Sequence, residues 1–236
     1  MGDPHEKCAV VLGASGALGS AVAKHFAEKG FRVMGTGFRR APSFQPSLQL
    51  DMTQTAEVNC LEDWLREQTP RIDVAVHCVG VARDSVVTKM SDQAWRESLD
   101  VNLKSAYRIT RLLLPWFTRQ RGGHFLFVSS WAARAGRAGQ ANYAAAKAGL
   151  IGLTQSIARE YASRGVQANC IIPGVFRSAM TDTLPPAALE RLWSAATIQK
   201  FSDLDEIARF IVDLASMRGV SGQVFQLDGR IGSANL

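Results

Sequence analysis

The stretch Val10-Val11-Leu12-Gly13-Ala14-Ser15-Gly16-Ala17-Leu18-Gly19 sets three glycines between an apolar run and a helical pattern in which Leu18, Val22 and Phe26 fall four apart. Glycine at such a turn permits positive φ and lets main-chain N–H groups come close to a ligand. The N-terminus of the helix that follows favours negative charge, so the turn suits a pyrophosphate, with Gly13, Ser15, Gly16, Leu18 and Gly19 as expected contacts. A glycine-rich turn can also do no more than close a strand–helix connection. Its place in the first βαβ unit, whose helix Gly30 caps, favours a dinucleotide.

Outward from that turn, strands are predicted at Cys8–Leu12, Phe31–Thr36, Leu48–Leu50, Val74–His77, Phe125–Ser129, Gln167–Ile172 and Val224–Leu227. Longer helical patterns run over Ala94–Phe117 and Asn142–Ser163, with a shorter one at Leu204–Ala215. The alternation predicts one α/β domain over residues 1–236, a Rossmann-like doubly wound sheet of seven mainly parallel strands with helices on both faces. Residues 177–199 read as an irregular insertion with some helix, just beyond a strand end, and are the expected substrate lid.

The end of the second strand decides which dinucleotide. An NAD site presents a carboxylate to the adenosine ribose there, yet no Asp or Glu occurs from Phe31 to Leu50. Gly37-Phe38-Arg39-Arg40 offers two guanidinium groups that can pair with a 2′-phosphate, so NADP(H) is expected, with Phe38, Arg39 and Arg40 as contacts. The plainer alternative makes both arginines solvated loop charges. Asp51 lies too far along the chain for the ribose carboxylate, and a capping or adenine-contacting role is expected for it.

Tyr143 and Lys147 stand four apart at the start of a helical pattern and project from one face. A phenol is a sluggish acid at neutral pH, and an adjacent ammonium is expected to lower its pKa toward the working range. Ser130, at a strand end, supplies a second hydrogen-bond donor for a carbonyl oxygen on which charge grows as hydride arrives at carbon. Taken singly, each has an ordinary structural reading. Together, at strand C-termini in a sheet that opens with a phosphate turn, they read as a reductase site.

These residues resemble the short-chain dehydrogenase/reductase family along essentially the whole chain. Leu12 to Gly19 is similar to that family's TGxxxGxG turn, Ser130 with Tyr143-Ala-Ala-Ala-Lys147 to its Ser and YxxxK, and Asn102 in Asp100-Val101-Asn102-Leu103 to the fourth member of its tetrad. The resemblance implies that Lys147 also holds the nicotinamide ribose and that Asn102 supports a water path recharging Tyr143. It further implies adenine contacts at Asp51 and Met52, adenosine-side contacts at Cys78 and Gly80, and nicotinamide contacts at Pro173, Gly174 and Phe176. Within the family, Arg83-Asp84, Gly139 to Gly152 and Ala162-Ser163-Arg164-Gly165 look most like 3-oxoacyl-[acyl-carrier-protein] reductases. That likeness implies a ketone substrate carried on acyl carrier protein or CoA, basic contacts for the acidic carrier at Arg121 and Arg164 beside the cleft, and a homotetramer built partly on the helix bearing Gly149 and Gly152. A ketoreductase of a specialised, polyketide-like pathway and a non-catalytic NADP-binding regulator are the alternatives. Three departures stand out: Leu12 and Ala17 in the turn, His77-Cys78-Val79-Gly80 where the family has Asn-Asn-Ala-Gly, and Asp228-Gly229-Arg230 for Asp-Gly-Gly. An imidazole titrates near neutrality, so acid–base work is one reading of His77, but a strand-end histidine satisfied by backbone partners is the expected one.

Composition is consistent with this reading. With 47% apolar and 20% charged residues the chain is of ordinary globular type, and 27 Lys plus Arg against 21 Asp plus Glu leaves +6, which steers anionic ligands. No arginine-rich run with interleaved aromatics points to nucleic acid. The scattered Cys8, Cys60, Cys78 and Cys170 suit a reducing compartment and have no zinc spacing, so no metal is expected. Neither an apolar span of about 18 residues nor a signal-like opening occurs, and a cytoplasmic enzyme is expected.

Overall fold

A computed structural model of the chain describes residues 6–182, 186–187, 189–190, 196–198, 201–227 and 229–230. Seven strands, β1 (Cys8–Leu12), β2 (Arg32–Gly37), β3 (Ser47–Gln49), β4 (Val74–His77), β5 (Gly123–Val128), β6 (Val166–Pro173) and β7 (Val224–Leu227), pair in the order β3-β2-β1-β4-β5-β6-β7. Every pairing is parallel. The central strands read as unbroken apolar runs because helices cover both faces. Alternate residues go to opposite sides: Val10, Leu12, Ala75, Phe125 and Phe127 to one core, Ala9, Val11, Val76, Leu126 and Val128 to the other.

The first core is closed by α2 (Thr55–Gln68) through Leu61 and Leu65, by α4 (Ser105–Arg119) through Ile109 and Leu113, and by α6 (Ala141–Tyr161) through Leu150 and Ile157. The second is closed by α1 (Ala17–Glu28) through Val22 and Phe26 and by α8 (Leu204–Ala215) through Ile207 and Ile211. β1 lies between β2 and β4, with Leu12 level with both Thr36 and His77. Strand order therefore reverses there, and the loops leaving β1 and β4 diverge to leave a crevice.

Two elements differ from the sequence expectation. The helix expected over Ala94–Phe117 is broken into α3 (Asp92–Leu99) and α4 by a π-helical turn at Asp100–Lys104, where the Ser105 N–H bonds to the Asp100 carbonyl. Helix α2 was not anticipated, because its apolar stripe of Val58, Leu61, Trp64 and Leu65 is set among polar neighbours. Two further helices are short, α5 (Ala132–Ala135) and α7 (Ala179–Asp182). Of the expected lid, 177–182, 186–187, 189–190 and 196–198 are described, and 183–185, 188, 191–195 and 199 lie outside the described residues.

Two histidines are built into the sheet. Burial, then the nearby Lys147 charge, pull His77 down to about 3, and burial pulls His124 down to about 4. Below their unfolded pKa near 6.5 the unfolded chain binds protons that the folded chain refuses. Their stabilisation is thus full above that value and is lost as pH falls toward the folded pKa values. Between pH 7.5 and 5.5 each histidine is expected to remove about 1.4 kcal/mol. Urea midpoints at pH 7.5 and 5.5 check this, and equal midpoints would mean that neither ring is held neutral.

Candidate active site

The turn after β1 is shaped by what a side chain would strike. Gly13 has φ 81°, and a Cβ there would lie 3.2 Å from the Cys78 carbonyl and the Val79 nitrogen. At Gly19 a Cβ would fall 2.3 Å from the Gly13 oxygen, so α1 packs directly on the turn. Gly16 donates to the Gly13 carbonyl at 3.0 Å and caps α1 without a side chain, and the Ala17 methyl that replaces a family glycine is exposed. The result is a bare helix N-terminus over which main chain alone faces the crevice, a cradle that fits a pyrophosphate.

Beside it, a Cβ on Gly37 would meet the Arg40 carbonyl at 2.0 Å and Ser15 Oγ at 2.7 Å, so the chain leaving β2 folds back over the turn. Arg40 Nη2 donates to the Ser15 carbonyl at 3.3 Å, Arg39 and Arg40 are exposed, and Phe38 is 61% exposed. The structure brings Ser15, Phe38, Arg39 and Arg40 to one end of the crevice. Asp51 accepts from the Thr53 N–H at 2.8 Å and its hydroxyl at 2.7 Å, a local turn in place of the expected cap, since Gln54 is the N-cap of α2. Met52 is buried, and its carbonyl accepts from Arg108 at 3.0 Å.

At the other end, Ser130 follows β5 and Tyr143 opens α6. The first turn of α6 is pinned by residues whose roles were not foreseen. Gln140 donates to both Asp84 oxygens at 3.0 and 2.9 Å, and Asn142 Nδ2 donates to the Arg83 and Ala94 carbonyls at 3.1 and 3.2 Å. Asn142 Oδ1 accepts from the Tyr143 N–H at 2.7 Å. The signal for them was present as buried-capable amides bracketing Tyr143. The Ser130 hydroxyl is near enough to the Tyr143 hydroxyl to favour the phenolate, and Lys147 lies one turn further, its Nζ 5.8 Å from the centre of the Tyr143 ring.

Lys147 is 2% exposed and donates to the Val79 and Val128 carbonyls at 3.0 and 2.9 Å. Burial pulls it down to about 8, against the opposing effect of Cys170 and Cys78. Tyr143 does not follow the sequence expectation of a lowered pKa. Burial pushes it up, the Ser130 hydrogen bond opposes, and Asp84 adds to the rise. The reason is geometric: the ammonium spends protons on two carbonyls and faces the ring, and enclosure outweighs charge.

Asn102 is fully buried. Its Oδ1 accepts from the Val81 N–H at 3.1 Å, and its Nδ2 donates to the Val81 and Ser98 carbonyls at 2.9 and 2.8 Å. A Cβ on Gly80 would lie 3.4 Å from both Asn102 Oδ1 and Lys147 Nζ, so the segment after β4 runs across these two groups. Cys78 in that segment has its thiol pushed up to about 12 by burial, which makes it inert. Pro173 ends β6 and Gly174 follows it, while Phe176 packs on the α1/α8 side. Arg230, the departure from the family's last glycine, lays its guanidinium 4.8 Å from the Trp131 ring, next to Ser130.

Arg121 and Arg164 are placed differently from expectation. The turns that carry them approach, since a Cβ on Gly165 would fall 2.5 Å from the Arg121 carbonyl, but they precede β5 and β6 at the N-terminal edge of the sheet. A groove of about 500 Å³ beside them is lined by Thr118, Arg119, Glu160, Tyr161 and Arg164. Tyr143 and Tyr161 mark opposite ends of α6, which is about 30 Å long, so the pair does not flank this chain's own crevice. Spacing alone does not reveal the strand edge on which a loop emerges.

Among the described residues no group of three or more His, Cys, Asp or Glu is arranged to hold a metal, and no helix is long and apolar enough to cross a membrane. The family described as Enoyl-(Acyl carrier protein) reductase matches residues 13–230. The chain is similar to the 3-oxoacyl-[acyl-carrier-protein] reductases FabG of Thermotoga maritima and Escherichia coli, each 31% identical, with 94% of this chain and 96% of each relative covered. The corresponding protein of Vibrio harveyi is 33% identical over the same shares. A phosphate cradle and a Ser–Tyr–Lys–Asn group facing one crevice agree with that similarity, which implies a nicotinamide cofactor. The chain belongs to the short-chain dehydrogenase/reductase family and is an oxidoreductase.

Proposed function

We propose that this protein reduces a 3-oxoacyl thioester to the 3-hydroxyacyl thioester with NADPH, Tyr143 being the general acid. The observation that carries the reading is the convergence of the Ser130 and Tyr143 hydroxyls over a floor made by Lys147 and Asn102, beside a turn open to a pyrophosphate. The glycine-walled turn, with Gly13, Ser15, Gly16, Leu18 and Gly19, holds the pyrophosphate, and Phe38, Arg39 and Arg40 hold the 2′-phosphate end. Asp51, Met52, Cys78 and Gly80 border the adenosine, while Lys147, Pro173, Gly174 and Phe176 border the nicotinamide. When bound, the cofactor supplies a hydride to the carbonyl carbon.

The protein's own groups handle the oxygen. Ser130 donates a hydrogen bond to it, and Tyr143 donates a second and then transfers its proton as charge accumulates. Burial keeps the phenol protonated until that moment. Lys147, charged at neutral pH, steadies the phenolate left behind, and Asn102 keeps the neighbouring chain in place for the water path that returns the proton. Two donors on one oxygen suit a ketone, and an enoyl thioester such as crotonyl-CoA is expected to be turned over poorly.

The similarity to 3-oxoacyl reductases supports an acyl carrier protein or CoA thioester as substrate. Arg121 and Arg164 are proposed to receive the acidic carrier and, from their edge position, to serve a neighbouring subunit's crevice in a homotetramer. Four unpaired cysteines agree with a cytoplasmic setting. The test is nicotinamide absorbance with acetoacetyl-CoA. NADPH is expected to be consumed, and much faster than NADH. NADPH binding without turnover across 3-oxoacyl thioesters and simple ketones would overturn the reading in favour of a regulator. Turnover confined to specialised ketones would point to a polyketide-like pathway.

A further inference from the structure

In a regular helix the Ser105 N–H bonds to the carbonyl four residues back, at Val101. The π-turn sends it to Asp100 instead. The Ser105 hydroxyl takes over, donating to the Val101 carbonyl at 2.5 Å. A hydroxyl has one proton to give, so toward His77 Nε2, 2.8 Å away, it acts as acceptor. That assigns the tautomer: His77 is neutral, with hydrogen on Nε2 and a bare Nδ1, for which the described residues provide no hydrogen-bond partner. A second ring proton would be buried near the Lys147 charge.

We propose that His77 is a positioning residue whose Nε2–H, acting through Ser105, fixes the π-turn from which Asn102 holds the chain beside Lys147. This rests on the reductase reading. Asn102 sits inside the turn and grips both backbone groups of Val81, while Val79 of the same segment receives Lys147 Nζ. The five residues 77–81 are therefore tied to one π-turn at both ends, by His77 at the first and by Val81 at the last. Sliding the turn breaks both ties. Beyond the backbone partners expected from the sequence, this ring is held by a side chain 28 residues away.

The Gln amide nitrogen stands as far from Cβ as imidazole Nε2, whereas Leu carries no donor. His77→Gln is expected to keep kcat and the cofactor dissociation constant near wild type. His77→Leu and Ser105→Ala are expected to lower kcat about tenfold, through misplacement of Asn102, with NADPH affinity changed less than about twofold. In the cofactor-free protein the same two variants should speed amide hydrogen exchange in the 98–106 peptide, and Ser105→Thr should restore protection. Unchanged exchange and kcat in His77→Leu, or equal damage in His77→Gln, would overturn the proposal. The imidazole ¹⁵N spectrum of the wild type tests it without any substitution: a ring protonated on Nδ1, or charged at pH 7, contradicts it. If the wild type fails to turn over 3-oxoacyl thioesters, the reductase reading falls, while the exchange and ¹⁵N measurements still decide the positioning role.

Discussion

Tyr143→Phe is expected to lower kcat for acetoacetyl-CoA reduction by at least about 10³-fold while leaving NADPH binding within about twofold. General acid transfer alone is worth roughly 10² to 10⁴ in rate. The same hydroxyl is also one of the two donors that meet the developing charge, and each such donor removed costs about 10² or more. The ring itself is retained, so its enclosure and its approach to Lys147 Nζ persist, and the first turn of α6 keeps its ties through Asn142 and Gln140. Loss of activity with an unchanged melting temperature therefore isolates the hydroxyl. Turnover within tenfold of wild type would remove Tyr143 as the acid. A pH consequence follows from its raised pKa. Reduction needs the protonated phenol, present throughout the neutral range, so its rate should be flat there. Oxidation of the 3-hydroxyacyl product needs the phenolate and should rise with pH.

The parts of this molecule that the sequence announces are those set by local chemistry. Glycine spacing at 13, 16 and 19 marks the turn because the absent Cβ atoms at 16 and 19 have a local cause and Gly13 a positive φ, and β1, β4 and β7 fall at their predicted bounds because they are short apolar runs ended by polar or turn residues. Tyr143, Lys147 and Ser130 meet because the four-residue helical interval and a strand end suffice to aim them. What was not legible depends on enclosure or on distant partners. The apolar pattern of Ile109, Leu113 and Phe117 continues smoothly from α3, so nothing local signals the π-turn between them. The pKa of Tyr143 moves opposite to expectation because burial is not encoded in the interval to Lys147. Arg121 and Arg164, expected beside the cleft from the family likeness, lie on the far edge, since that depends on which way β5 and β6 run. His77 acquires its role only from Ser105.

Removing both guanidiniums, Arg39→Ala with Arg40→Ala, is expected to weaken NADPH binding by roughly 10²-fold and NADH binding by less than about twofold. A charge-assisted hydrogen bond contributes about 1.5–3 kcal/mol, and two are lost. Both side chains are exposed, so solvent and salt screen them and the lower end of that range applies. The 2′-phosphate is the only chemical difference between the two cofactors, hence a loss confined to NADPH locates these arginines on it. Position favours this outcome: the fold-back at Gly37 brings Arg40 onto Ser15 at the N-terminus of α1, where the helix dipole already favours an anion, and no carboxylate from Phe31 to Leu50 is there to take the arginines as ion-pair partners. Dissociation constants from cofactor fluorescence at two ionic strengths measure both effects, and the NADPH advantage of the wild type should shrink as salt rises. An equal loss for both dinucleotides would place the arginines on the shared pyrophosphate and leave the 2′-phosphate without a partner, which would move the cofactor preference away from NADPH.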